Sequence, residues 1–214
     1  MGRPRTTSDE AILQAAARAV GRHGPQGVTL AAVAQEAGLS PATLVQRFGS
    51  KRGLLLALAG HSAETVPLPF QRAREVHGSP LEALHAALAE LTEGVSTPEE
   101  LAHSLGFLQL DLTDPEFRGH AAEHARRTRD EIAGLLSAAV AAGELAGEAD
   151  VGRLARAVQV TYNGVLILWA LTGERPLAEA MRDALDETLR PHLAGRPFHD
   201  APVEIWTDTP GDKG

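Results

Sequence analysis

The chain has no cysteine among its 214 residues. That excludes disulfides, thiolate zinc sites and cysteine nucleophiles, and it suits a reducing compartment. Aromatic residues make up only 4 %, with a single tyrosine. No segment shows the sustained alternation of β-branched and aromatic residues that marks a sheet. No apolar run approaches the roughly eighteen residues that a membrane span requires. The opening Met1-Gly2-Arg3-Pro4-Arg5 leads into polar residues and not into the apolar stretch of a secretory signal, so a cytoplasmic chain with no membrane partner is expected. Lysine is scarce as well, since eighteen of the twenty basic residues are arginine. What is present is 43 % hydrophobic and 22 % charged residues, the balance of a folded globular protein.

The net charge of −8 is unevenly spread. Residues 1–60 carry seven Lys or Arg against three Asp or Glu, a net of +4, and the remainder carries −12. A basic module on an acidic body is the pattern of a contact domain for nucleic acid joined to something else.

The periodicity is helical throughout, which predicts an all-α fold. Ser8 caps a first helix with Ile12, Leu13, Ala16 and Val20 at helical spacing, stopped by Gly24-Pro25. Thr29 caps a short second helix ended by Gly38. Ser40 caps a third with Pro41 at its first position, and Ser50 a fourth carrying Leu54, Leu55 and Leu58. Pro67 and Pro69 mark a break. Further helices are expected over about 80–95, 98–112, 115–143, 150–172 and 176–193, separated by proline- and glycine-rich punctuation. This divides the chain into a small basic domain at 1–60, a larger helical bundle at 61–195, and a loose polar tail at 196–214.

The informative stretch runs from Thr29 to Lys51, where two short capped helices are joined by Ala37-Gly38-Leu39-Ser40. A small residue, a glycine and an apolar plug in that order build the tight turn of a helix-turn-helix, whose second helix enters the major groove. The same four residues also occur in helical hairpins that never meet DNA, so context decides. The sequence resembles the TetR family of bacterial transcriptional regulators over roughly residues 8–58. The resemblance rests on Gly2-Arg3-Pro4-Arg5, Thr29, Val33-Ala34, Ala37-Gly38-Leu39-Ser40, Thr43-Leu44, Phe48 and Ser50-Lys51.

The resemblance implies an N-terminal three-helix helix-turn-helix domain followed by a bundle for ligand binding and dimerisation. It implies that Thr43, Val45, Gln46 and Arg47 face DNA from the third helix, with Ala42 permitting close approach. Gln46 suits a bidentate contact to adenine, and Arg47 a guanine or a phosphate. Ser40, Thr29 and Lys51 would touch phosphates, and Arg3 and Arg5 would form an arm in the minor groove. The family often has aromatic residues where Val45 and Arg47 stand here.

Glu82 with His85, and Glu100 with His103, have the spacing used in di-metal bundles, but neither pair lies on its helix's apolar stripe. His120 and His124 lack a third ligand, so no metal and no cofactor is called for. The segment 150–172 is apolar on two sides. One stripe holds Leu154, Val158, Tyr162, Val165 and Trp169, and the other Ala157, Val160, Gly164, Ile167, Leu168 and Leu171. Burial on both sides fits a homodimer, with Leu177, Met181, Leu185 and Leu189 of the next helix completing the interface. Phe107, Asp111, Phe117, Tyr162, Asn163 and Trp169 are candidates to line a pocket for a small-molecule effector. The expected function is a ligand-responsive homodimeric repressor on a palindromic operator, not an enzyme. A metal-dependent helical enzyme and a sequence-indifferent architectural DNA binder are the alternatives.

Overall fold

The computed structural model describes residues 7–195; Arg3, Arg5 and the tail 196–214 lie outside the described residues. Eleven α-helices and one terminal 3₁₀ turn make up the described part, with no strand among those residues. Short polar side chains set most of the starts. Ser8 caps α1 (Asp9–Gly27), Thr29 caps α2 (Leu30–Ala37), Ser40 caps α3 (Pro41–Phe48) and Ser50 caps α4 (Lys51–Thr65), each accepting a bond from a backbone N–H three residues on. The expected stop at Gly24-Pro25 is a bend within α1, which runs on to Gly27. Gly24 takes φ 65°, and Pro25 opens a last turn beyond it.

The paired prolines at 67 and 69 do not interrupt the chain; they begin α5 (Pro67–Val76). A helix's first turn has no intrahelical partners for its N–H groups, so prolines are tolerated there. α6 (Pro80–Glu90) follows. The expected helix 98–112 is two helices, α7 (Pro98–Leu105) and α8 (Phe107–Thr113), broken at Gly106. A Cβ at Gly106 would lie 3.0 Å from Pro25 Cδ, so the break lets this corner pack on the bend of α1. α9 (Pro115–Ala141), α10 (Val151–Thr172) and α11 (Leu177–Leu189) complete the body.

Burial divides among three clusters. The largest joins Phe70, Leu84, Leu88, Ile132, Leu136, Val158, Tyr162 and Leu185 in the body. A small one links Leu101, Trp169 and Leu177. The third belongs to the N-terminal module, with Ile12, Leu13, Ala16, Val33, Leu44, Leu54 and Leu58. One of its members comes from far along the chain. Phe117 of α9, only 2 % exposed, packs into the module and not into the body.

α10 behaves as a helix with two apolar faces. Leu154, Val158, Tyr162 and Trp169 are buried, whereas Val160, Ile167, Leu168 and Leu171 are exposed, Leu171 by 77 %. At 22 residues and mean hydropathy 1.3 it has the length and composition of a membrane span. Arg153, Arg156, Gln159 and Asn163 nonetheless lie along it, and its inner face is the core of the body. The apolar stripe of α11 needs correcting. Leu177, Met181, Leu185 and Leu189 are buried within the subunit's own clusters and offer nothing to a partner. Their 3.6-residue spacing identifies an inward face without saying which interior it meets.

Because Phe117 completes the core of the module, Phe117→Ala is expected to cost about 3–5 kcal/mol. Denaturant unfolding of the full chain would measure this.

Candidate nucleic-acid interface

The turn between α2 and α3 is built by Gly38, whose φ of 66° is the left-handed conformation that glycine adopts without strain. The Leu39 N–H then donates to the Ala34 carbonyl at 2.8 Å, closing α2, and the Ser40 Oγ accepts from the Thr43 N–H at 3.2 Å, opening α3. Leu44 is fully buried and Phe48 packs against the same cluster, so this face of α3 anchors the helix. The opposite face is open: Ala42, Gln46 and Val45 are exposed, the last by 48 %. Thr43 is half-buried and its hydroxyl lies 2.9 Å from that of Ser40. Among the described residues no internal hydrogen bond uses the Gln46 side chain.

The corner from α3 into α4 is tighter still. Gly49 takes φ 75°, the Ser50 Oγ caps α4 through the Gly53 N–H, and a Cβ on Gly53 would lie 2.1 Å from the Phe48 carbonyl oxygen. Gly53 is therefore required by close approach of backbone. Its neighbour Lys51 donates to the Gln26 carbonyl at 2.6 Å, joining the start of α4 to the end of α1.

The basic side chains of the module are largely occupied. Arg18 and Arg22 both bond Glu36, which holds its carboxyl below the usual range. Arg52 bonds Asp114 at 2.7 Å and Glu116 at 2.6 Å across the junction, and lies over the ring of Phe117. Its hydrogen bond lowers the pKa of Asp114. Arg47, with a side chain only 24 % exposed, donates to the Thr7 carbonyl at 2.6 Å and to Asp9 Oδ1 at 2.9 Å. Lys51 alone, among the described basic residues of this module, has no carboxylate partner. Sequence reasoning singled out Arg47 for its place on the recognition helix, and gave no sign of its pairing with a residue thirty-eight positions earlier.

The six pocket candidates do not converge. Phe107 and Phe117 pack tilted at 6.2 Å beside the module. Asp111 is half-buried, and burial raises its pKa. Tyr162 lies in the body core, where burial pushes its hydroxyl up, and Asn163 is exposed on α10. Trp169 donates to the Arg175 carbonyl at 2.7 Å and walls an open cleft of about 600 Å³ that also includes Glu90, Thr92, Glu93 and Ser96. The histidines of the Glu-x-x-His pairs are engaged elsewhere. His85 meets Asp186 at 3.0 Å, and His103 Nδ1 lies 3.0 Å from the Gly21 carbonyl, bridging α7 to α1.

A capped two-helix turn with one face anchored and the other open defines a helix-turn-helix protein, here with a helical body fused to it. Residues 12–58 match the model of bacterial regulatory proteins of the tetR family, and residues 80–194 match that of the C-terminal domain of BetI-type transcriptional repressors. The chain belongs to the TetR family of transcriptional regulators, with a C-terminal domain of the BetI type.

Among curated relatives, the HTH-type transcriptional regulator BetI of Brucella canis is 26 % identical over 187 residues, covering 87 % of this chain and 91 % of that protein. The HTH-type transcriptional repressor AcnR of Corynebacterium diphtheriae is 25 % identical, covering 84 % and 90 %. A transcriptional regulator from Saccharomonospora viridis, solved in complex with choline, shares the fold at a TM-score of 0.68 and 24 % identity, covering 88 % of this chain and 98 % of that one.

Gly53→Ala is expected to destabilise the module by more than about 2 kcal/mol, because the atom it meets is backbone and cannot swing aside. A lowered thermal midpoint with unchanged body helices by hydrogen exchange would register it.

Proposed function

We propose that the protein is a homodimeric repressor that places α3 of each subunit in successive major grooves of a palindromic operator, and that a small molecule bound in the body releases it. The observation that carries the reading is the open face of α3, where Ala42, Val45 and Gln46 are exposed and have no structural task. Gln46 has the paired donor and acceptor that adenine's major-groove edge requires, and Ala42 and Val45 suit close apolar approach to thymine methyls. Ser40, Thr29 and Lys51 stand at helix starts where phosphates are favoured, and Arg3 and Arg5 supply the minor-groove arm.

Dimerisation is supported by the uncovered apolar face of α10, to which Gly164 allows close approach. The polar outer side of α11 would form the rim. A twofold dimer puts the recognition helices about 34–36 Å apart, one helical turn of DNA. Residues 1–60 act as the reading domain and 61–195 as the sensing and pairing domain.

For the effector, the choline-bound neighbour gives a ligand to try first, and the cleft at Trp169 supports it. An indole beside Glu93, with Glu90 held by Arg72, gives the cleft an aromatic ring and an anionic edge that suit an organic cation.

In vitro selection from a random duplex library should yield one palindrome, where a sequence-indifferent binder would retain random duplexes. Gln46→Ala should then cost about 1–3 kcal/mol and relax selection at one position in each half-site. Wild-type selection by that variant would sink the assignment. Leu168→Glu with Leu171→Glu should give a monomer by light scattering and lose palindrome binding; a dimer that persists would place the interface elsewhere. Choline should weaken operator binding in wild type and have no effect on Trp169→Ala.

A further inference from the structure

The pairing of Arg47 bears on how the interface is held in shape. Arg47 sits in the last turn of α3, where a cation is favoured by the carboxyl-terminal end of the helix dipole. Its guanidinium reaches the Thr7 carbonyl at 2.6 Å and the Asp9 carboxylate at 2.9 Å. Asp9 in turn sits in the first turn of α1, where an anion is favoured. The ion pair therefore ties the end of the recognition helix to the beginning of α1. The Arg47 side chain is 24 % exposed and that of Asp9 68 %, so the hold on the guanidinium rests on the bond to the Thr7 carbonyl as well as on the ion pair.

We propose that Arg47 is a positioning residue of the DNA interface and not a reader of bases or phosphates. Clamped on Asp9 and Thr7, it sets the angle of α3 against α1. The recognition helix then meets one half-site in fixed register. The inference rests on the reading that α3 enters the major groove. It assigns base discrimination on α3 to Thr43, Val45 and Gln46, and gives Asp9, an acidic residue beside a polyanion, a reason to be there.

Asp9 makes the proposal testable by sign. If Arg47 contacted DNA and Asp9 merely restrained it, Asp9→Asn would remove a negative charge, release the guanidinium and tighten binding. With the clamp, Asp9→Asn weakens binding to the selected operator by roughly three- to tenfold, and Arg47→Ala does the same. The double variant is no weaker than either single one. The slope of log affinity against log salt is expected to stay at the wild-type value in Arg47→Ala, whereas loss of a phosphate contact lowers it by about one.

Unchanged or tightened binding by Asp9→Asn overturns the clamp, as does a salt slope reduced by about one in Arg47→Ala. Should Arg47→Ala fail to fold, Asp9→Asn alone decides, because the two readings give it opposite signs. Gln46→Ala in the same assay separates the failures. If it leaves selection unchanged, the placement of α3 in the groove fails. If it relaxes selection while Asp9→Asn tightens binding, only the clamp fails.

Discussion

Phe117 reaches from the start of α9 into the core of the DNA-binding module, and the rest of the architecture hangs on that insertion. A unit of some fifty residues buries too small a fraction of its surface to be comfortably stable alone. Here the deficit is met by a side chain from the body. Arg52 then covers the ring and bonds the two acids just before it in the chain, Asp114 and Glu116, one of which also caps α9. Module and body are thus joined through a shared interior and a shared helix cap, not by a linker.

That junction also sets the electrostatics. A net of +4 in the first sixty residues suggests a broad basic surface, but the described structure uses most of that charge inside the molecule. Arg18 and Arg22 bind α1 to α2 through Glu36, Arg47 binds α3 to α1, and Arg52 binds α4 to α9. Guanidinium groups suit this work, since their fixed fork of donors can satisfy a carboxylate and a carbonyl together. The arginine-rich composition is therefore partly structural. Each pair contributes little alone when exposed, yet together they fix the mutual angles of four short helices that have small cores.

The sequence made the helix-turn-helix legible almost residue by residue, because its determinants are local. A hydroxyl at a cap, a glycine at positive φ and a proline at a first position act within four residues of themselves. The two faces of α10 were legible for a similar reason, since apolar residues cover more of that helix than one interior can use. What was hidden depends on long-range packing. The prolines that open α5 read as a break because the same residue that ends one helix can start another. The stripe of α11 announced burial but not against which neighbour. Phe117 and Arg47 were noticed, yet the destination of each is set by contacts across tens of residues that no periodicity encodes.

The position of the junction constrains how a ligand in the body can affect DNA. An effector changes operator affinity only by binding two arrangements of the chain unequally. Those arrangements must differ where the module meets the body, and three further contacts lie there beside Phe117. His103 lies 3.0 Å from the Gly21 carbonyl, a Cβ at Gly60 would touch the ring of His120 at 3.2 Å, and Arg52 spans to α9. α7, which carries His103, is packed through Leu101 against Trp169 of α10, whose other side is uncovered. A displacement of α7 would therefore be felt at both the bend of α1 and the inner face of α10. Close-packed interiors resist continuous deformation, so such a movement would be taken up as a change in how the module seats on the body.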